Sequence, residues 1–169
     1  MGNGISEIFD QPVEENRFLK QATIQDFSQA SSWIQSQDEC DIWTGGRVAY
    51  PIHQDQMLVA IDWDGAHNYS LVEGTKLLGV GQLLEREDKR LHLARILIEP
   101  TERGRGFGRI LVKKLVGQGL AQHPRCLSLN VHPENKKAIS LYESIGFLPV
   151  VNNIESRNGL FTYMERSRI

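Results

Sequence analysis

The segment from Ile96 to Arg109 combines glycines and arginines in a pattern that could bind phosphate. It reads Ile-Leu-Ile-Glu-Pro-Thr-Glu-Arg-Gly-Arg-Gly-Phe-Gly-Arg, an apolar strand-like run followed by a turn and the start of a helical pattern. Glycines let a backbone approach a ligand closely, and free N–H groups at a helix start favour an anion. Arg103 and Arg105 add positive charge. The segment therefore predicts a phosphate or pyrophosphate site, the alternative being a solvated turn with helix-capping glycines. Neither the Walker pattern nor the dinucleotide fingerprint matches it.

A second informative segment, Asn130 to Phe147, lies one predicted helix and one predicted strand downstream. Together the two segments resemble the GNAT superfamily of acetyl-CoA-dependent N-acetyltransferases. The residues similar to the family's pyrophosphate loop are Arg103, Gly106 and Gly108. Those similar to its second signature are Asn135, Ala138, Leu141, Tyr142, Gly146 and Phe147. The specific resemblance covers about residues 91–147.

The resemblance implies where acetyl-CoA, the co-substrate, binds. Backbone N–H groups of the 103–109 loop would hold the pyrophosphate, and the strand ending at Ile98 would hydrogen-bond the pantetheine arm. In the family this strand and the next, here 126–131, splay apart to admit the arm, and Asn135 would contact it near the thiol. The predicted cofactor-binding residues are Ile96, Leu97, Ile98, Arg103, Gly104, Arg105, Gly106, Phe107, Gly108, Arg109, Asn135, Lys137, Ala138 and Tyr142.

Acetyl transfer to an amine needs a polarised carbonyl, a neutral amine and an acid for the departing thiolate. A backbone N–H near Ile98 could polarise the carbonyl. The resemblance puts Tyr142 at the family's acid position, where a phenol with a pKa of ~10 can donate a proton. The alternative is that Tyr142 is an aromatic residue on the inner face of its helix.

The general base is not fixed by the sequence. The ribosomal-protein alanine acetyltransferase branch carries a glutamate at the position of Asn130, and an amide can only orient a water. The histone acetyltransferase branch carries its glutamate at the position of His92, whose ordinary pKa of ~6.5 suits a base near neutrality. His92 could instead decorate a half-exposed strand, and Glu73, Glu85 or a water relay remain open.

The hydrophobic pattern predicts one mixed α/β (α+β) domain over residues 17–169, after a flexible leader at 1–16. The resemblance implies a mixed, mostly antiparallel central sheet with splayed middle strands, flanked by helices. Strands are predicted at 18–23, 69–72, 76–84, 91–98, 126–131, 147–151 and 160–164. Helices are predicted at 24–34, 38–43, 51–64, 107–122 and 138–145, with Thr23 as the first N-cap and Gly146 ending the last helix.

Composition excludes several classes of protein. Nineteen Lys and Arg against 21 Asp and Glu give a net charge of −2, which argues against a nucleic-acid binder. No run approaches the ~20 apolar residues of a membrane span, and the histidines lack metal-ligand spacing. Two distant cysteines, Cys40 and Cys126, favour a reducing compartment, and hence a cytoplasmic location. Gly2 matches a loose N-myristoylation pattern, for which a chance match is the simpler interpretation.

The resemblance therefore implies an N-acetyltransferase that moves an acetyl group from acetyl-CoA to a primary amine by direct attack in a ternary complex. The acceptor, a small molecule or a peptide or protein amine, would be selected by residues 24–64 and the 152–160 loop. Trp33, Trp43 and Tyr50 could line its pocket or pack in the core. Family members often pair through their C-terminal strands, so 147–164 could form a homodimer. The alternatives are a non-catalytic acyl-CoA sensor or interaction module and, more weakly, a nucleotide-phosphate binder.

Overall fold

Seven strands and five helices make up the part of the chain that a computed structural model describes, residues 16–151 and 159–168. The predicted leader up to residue 15, the acylation pattern at Gly2 and residues 152–158 of the predicted acceptor loop lie outside the described residues. The strands are β1 Arg17–Gln21, β2 Ala66–Glu73, β3 Lys76–Arg86, β4 Arg90–Ile98, β5 Cys126–Val131, β6 Leu148–Pro149 and β7 Thr162–Ser167. The helices are α1 Ile24–Ser31, α2 Gln37–Thr44, α3 Gln54–Ala60, α4 Phe107–Ala121 and α5 Lys136–Ser144.

The strands form one sheet in the order β1-β2-β3-β4-β5-β7-β6. All neighbouring strands are antiparallel except β4 and β5, which run parallel. The β4–β5 pairing extends only from Arg90 opposite Cys126 to Leu93 opposite Leu129. Beyond that point the described strands no longer pair, so the predicted mixed sheet with splayed middle strands is confirmed.

Local signals in the sequence account for several helix ends. The Thr23 hydroxyl accepts a hydrogen bond from the Asp26 N–H at 3.2 Å, and the Asp26 carboxylate accepts one from the Thr23 N–H at 2.9 Å. This capping box satisfies two backbone donors at the start of α1. Helix α2 ends at Gly45, which adopts a left-handed φ of 76°.

Several predicted elements differ in length or position; for example, β2 is Ala66–Glu73 rather than 69–72, and α1 ends at Ser31 rather than at residue 34. The helix predicted at 51–64 is only α3, because Asp62 adopts a left-handed φ of 52° directly after its C-cap and interrupts the helical path. The strand predicted at 147–151 pairs over two residues only. The last strand is shifted two to three residues towards the C-terminus, where Tyr163 and Met164 are buried in the sheet.

The two faces of the sheet bury separate apolar clusters. Helices α4 and α5 cover one face, where Leu111, Leu115 and Tyr142 pack against strand residues such as Leu127. The three N-terminal helices cover the other face at the β1–β4 side, with Phe27 and Trp43 at its centre. Since these helices leave the β4–β5 end of that face open, a cavity forms there. Among the described helices, none has the length and apolarity needed to cross a membrane.

Candidate active site

The divergence of β4 from β5 opens a cleft of about 580 Å³. One wall is the edge of β4 from Ala94 to Ile98, which has lost its hydrogen-bonding partner on β5. The opposite wall is formed by the end of β5 and the start of α5. Residues of the predicted cofactor site in this lining are Ile96, Leu97, Ile98, Arg103, Asn135, Lys137, Ala138 and Tyr142. An extended amide-bearing ligand can hydrogen-bond the free edge of β4 as a neighbouring strand would.

A bulge in β4 lies in this wall. Gln82 pairs with Ala94 but Val80 pairs with Leu97, so Arg95 and Ile96 together face the single residue Gly81. Arg95 adopts a left-handed φ of 53°. The indole N–H of Trp43 donates to the Arg95 carbonyl oxygen at 3.1 Å and fixes that peptide plane. The N–H and C=O of a trans peptide point in opposite directions, so the Ile96 N–H points away from α2.

The glycine turn lies at the start of α4. Gly104 and Gly106 have φ values of 77° and 86°, and a Cβ atom built on either would meet nothing within 4 Å. Gly106 is the N-cap of α4 and offers no side chain to the first-turn N–H groups. Those N–H groups therefore remain available to an anion, and the helix dipole adds positive potential. The turn forms an open cradle with the electrostatics of a phosphate site.

The arginines of this turn have different surroundings. Arg103 lines the cleft and donates from Nε to the Ile98 carbonyl at 3.2 Å. Arg109 donates from Nη1 to the Ser144 hydroxyl at 2.8 Å and links α4 to α5. Arg105 instead pairs with Glu102 and stacks over the buried Phe107 ring, so its charge is already matched.

Glu102 anchors the base of the turn. Its side chain is buried and contacts both the Lys76 ammonium and the Arg105 guanidinium. The hydrogen bond from Lys76, together with the Arg105 charge, holds the pKa of this carboxyl below its usual value. A buried carboxylate between two cations fixes the conformation of the turn that follows it.

Helix α5 presents the residues of the second signature. Asn135 is its N-cap and accepts a hydrogen bond from the Ala138 N–H at 3.1 Å. About two turns after Asn135, Tyr142 is 8% exposed, lines the cleft and packs edge-on against Phe147 with ring centroids 6.1 Å apart. Its hydroxyl makes no hydrogen bond to another described residue. Burial raises the pKa of Tyr142 to about 12, so the phenol is a protonated donor at neutral pH.

A second cavity, of about 470 Å³, meets the cleft at the bulge. Residues that line both are Ile42, Trp43, Leu93, Ala94, Arg95 and Asn130. The Oδ1 atom of Asn130 is buried and has no hydrogen-bond partner among the described residues. Since an unpaired buried polar atom is costly, this oxygen marks a place for a donor from a ligand or water. The second cavity therefore gives a second molecule access to one confined region of the cleft.

His92 lines the second cavity and begins a chain of polar contacts. Its Nδ1 atom lies 2.9 Å from the Ser128 hydroxyl. Ser128 in turn acts on the Tyr163 phenol, whose pKa burial raises and the Ser128 hydroxyl lowers in part. That phenol donates to Glu165 at 2.8 Å and accepts from Arg90 at 2.7 Å. Burial, and then the positive charges of Arg86, Arg95 and Arg90, lower the pKa of His92 to about 3. The imidazole is thus neutral near pH 7, and its directed contacts lead from the cavity towards the half-buried Glu165.

The structure brings the candidate catalytic residues to one junction. Tyr142 lines the cleft, His92 lines the second cavity, and Asn130 lines both. The alternative bases Glu73 and Glu85 line neither cavity; Glu73 pairs with Arg17 at 2.7 Å, and Glu85 is highly exposed beside His67. Sequence reasoning missed Arg95, Ser128 and Glu102. The one sequence signal was Arg95, a charged residue within a Leu- and Ile-rich run.

The residues present fit coenzyme A. The open glycine cradle suits its pyrophosphate, the free edge of β4 suits its pantetheine amides, and the unpartnered Asn130 oxygen can accept an N–H at the inner end. Within the described ranges, no group of three or more His, Cys, Asp or Glu side chains is placed to hold a metal ion.

A mixed sheet split between two parallel strands, with a glycine turn and a helix start beside the split, defines an N-acetyltransferase fold. The chain belongs to the GNAT family of acetyltransferases, because the model described as "Acetyltransferase (GNAT) family" matches residues 30–147. The predicted family, fold and enzyme class are therefore confirmed.

Solved structures with the same fold share little sequence with this chain. AAC(6')-Ib in complex with ribostamycin and coenzyme A has a TM-score of 0.71 and 20% identity, covering 91% of this chain and 94% of its own. Dodecameric spermidine N-acetyltransferase from Vibrio cholerae has a TM-score of 0.67 and 20% identity, covering 90% and 94%. Ribosomal-protein-S18-alanine N-acetyltransferase from Escherichia coli has a TM-score of 0.66 and 18% identity, covering 89% and 93%.

Proposed function

We propose that this protein transfers the acetyl group of acetyl-CoA to a primary amine, by direct attack within a ternary complex. The observation that carries the proposal is the junction of two cavities at Ala94, Arg95 and Asn130. The cleft would hold coenzyme A and the second cavity the amine. Two reactants that approach one point from separate cavities can react directly, and their placement removes much of the entropic barrier.

Acetyl-CoA would supply the activated acetyl thioester, and the chain would hold it by three features. The backbone N–H groups of residues 103–109 would bind the pyrophosphate, with Arg103 adding charge. The free β4 edge at 96–98 and the side chain of Asn135 would hold the pantetheine arm. A backbone N–H near Ile98 would donate to the thioester carbonyl, and Tyr142 would donate its proton to the departing thiolate.

His92 and Asn130 would prepare the amine. Because the pKa of His92 is about 3, its imidazole does not stay protonated at neutral pH, but it can relay a proton between its two nitrogen atoms. The Nε2 atom of His92 would accept one amine proton while Nδ1 releases its own to Ser128. Ser128 would accept this proton and pass its own to the Tyr163 oxygen. Tyr163 would in turn pass its phenol proton to the Glu165 carboxylate, which ends the relay. The Asn130 oxygen would accept a hydrogen bond from the amine or from a water.

The second candidate is a non-catalytic acyl-CoA sensor on the same fold. It is favoured by Asn130, since an amide cannot take a proton, and by the weak basicity of His92. The experiment that separates the two measures free thiol released from acetyl-CoA in the presence of small amines, amino acids, polyamines and N-terminal peptides. An enzyme releases thiol only with certain amines, whereas a sensor binds coenzyme A and releases none with any of them.

A further inference from the structure

The second cavity has a positively charged lining. Three arginines from different elements reach it: Arg47 from the α2–α3 loop, Arg86 from the end of β3 and Arg95 from the β4 bulge. Asp62 is the one carboxylate among the described lining residues. His92 adds no charge near neutrality, because burial and the charges of Arg86, Arg95 and Arg90 lower its pKa to about 3. Guanidinium groups stay charged at every physiological pH, so the described lining side chains carry more positive than negative charge.

Two of these arginines converge on one atom. Arg47 Nη1 and Arg95 Nη2 each donate to the Ala60 carbonyl oxygen at 3.3 Å. The shared carbonyl holds the two guanidinium groups near each other at the end of α3, beside the cavity that both residues line. A carboxylate or phosphate group on a ligand could pair with a guanidinium there through two parallel hydrogen bonds.

Apolar side chains form the remainder of the cavity wall. Ile42 is 55% exposed and Val59 is 82% exposed, and both line the cavity together with Phe161. Exposed apolar side chains gathered at a cavity indicate a ligand that covers them. A volume of about 470 Å³ lies within the usual range for small-molecule sites.

We propose that the acceptor is a small amine that also carries a carboxylate or phosphate group, held by Arg47 and Arg86 with its apolar part against Ile42 and Val59. This inference rests on the proposed function, because it assigns the second cavity to the acceptor. Spermidine and ribostamycin carry several amines and are polycations at neutral pH. The positive lining disfavours such acceptors in this chain.

The test compares acceptors that differ in one group. Phenylalanine, phenylalaninamide and phenethylamine share an aromatic body, and only the first is anionic at its carboxyl end. Phosphoethanolamine and ethanolamine form a second comparison, which separates phosphate from carboxylate, and spermidine represents the polycations. Thiol release from acetyl-CoA gives kcat/KM for each. We expect the member with the acidic group, in at least one set, to exceed its partners without that group by about tenfold or more, as one strong ion pair allows.

Variants connect that preference to the cavity. Arg47→Gln and Arg86→Gln should each lower, by about tenfold, the ratio of kcat/KM for the preferred anionic acceptor to kcat/KM for its partner without an acidic group. Arg125→Gln is the matched control, because Arg125 is an exposed arginine that contacts the Asp88 carbonyl at 3.3 Å and lines neither cavity. Raising the salt concentration should increase KM for the anionic acceptor alone.

The outcomes separate this inference from the proposed function. If amines without an acidic group, or spermidine, turn over best, the acetyltransferase proposal stands and the inference of an anionic acceptor is wrong. If no amine turns over, the same amines are titrated by calorimetry into the protein saturated with coenzyme A, to measure whether the second cavity binds them. Heat from the anionic members alone, lost in Arg47→Gln, retains the inference about the cavity and overturns catalysis. The absence of heat from every anionic member overturns the inference.

Discussion

The Nδ1 atom of His92 lies 2.9 Å from the Oγ atom of Ser128, one residue before the parallel strands β4 and β5 stop pairing. This contact joins the edge of the second cavity to the polar chain that runs through Tyr163 to Glu165. A histidine in this position is held neutral and oriented by its neighbours. Its protonation therefore has consequences for both stability and turnover.

Acid should destabilise the fold through His92. Its folded-state pKa is about 3 against an ordinary 6.5, so between those values the unfolded chain binds a proton at this residue that the folded chain does not. The contribution of neutral His92 is complete above pH 6.5 and is lost as the pH falls towards 3. Denaturant titrations at pH 7, 6, 5 and 4 should show a shallower decline in the free energy of unfolding for His92→Gln than for the wild type. Equal slopes would contradict the assignment.

Ser128→Ala should interrupt the proton route. The substitution removes a buried hydroxyl between His92 and Tyr163, so we expect kcat to fall at least about tenfold with an unchanged coenzyme A Kd. Ser128→Thr keeps the hydroxyl on a side chain that suits a strand and should retain more activity. Glu165→Gln keeps a hydrogen-bond acceptor for Tyr163 but lacks the carboxylate, and should lower kcat as well. A Ser128→Ala enzyme with a normal kcat would rule out this route.

Tyr142→Phe should separate chemistry from binding. Phenylalanine keeps the edge-on contact with Phe147 and loses only the hydroxyl, so folding and coenzyme A affinity should be unchanged. Removal of a general acid should lower kcat by about 10²- to 10⁴-fold. Because the pKa of Tyr142 is raised to about 12, the wild-type kcat should show no alkaline loss from this group below about pH 11. Undiminished turnover in the variant, measured by thiol release, would remove Tyr142 from the mechanism.

Gly106→Ala should weaken coenzyme A binding. A side chain at φ 86° costs about 1–2 kcal/mol of backbone strain and displaces the N–H groups at the start of α4. Gly74→Ala is the matched control, because Gly74 also has a positive φ and open surroundings but lies in the β2–β3 turn. Calorimetry should show a coenzyme A Kd at least about tenfold higher for Gly106→Ala only. An equal change in both variants would mean that the loss is one of stability.

The sequence predicted elements whose signals are local, and missed relationships that depend on tertiary contacts. The Leu-, Ile- and Val-rich runs of β3, β4 and β5 and the capping pair Thr23 and Asp26 are signals carried by neighbouring residues, so their positions could be predicted. The motif residues at 103–108 and 135–142 were recognised in the same way. The convergence of Arg47 and Arg95 on one carbonyl depends on how α3 packs against the sheet, which no short-range spacing encodes.

The same difference between local signals and tertiary contacts applies to the site residues. Tyr142 and Asn130 could be singled out by position within a motif, but the partner of His92 could not, because Ser128 is 36 residues distant in sequence. The β4 bulge was also invisible, since it arises from pairing with Gly81 on another strand. More of the cofactor-binding residues than of the acceptor-binding residues could therefore be predicted from the sequence.

The measurement that tests the central claim most directly is free thiol released from acetyl-CoA by the purified full chain across the amine panel, with mass spectrometry of each amine. The account predicts amine-dependent thiol release with formation of the acetylated amine in equal amount. Binding of coenzyme A with no thiol release for any amine would contradict acetyl transfer, and the absence of coenzyme A binding would contradict the assignment of the cleft as well.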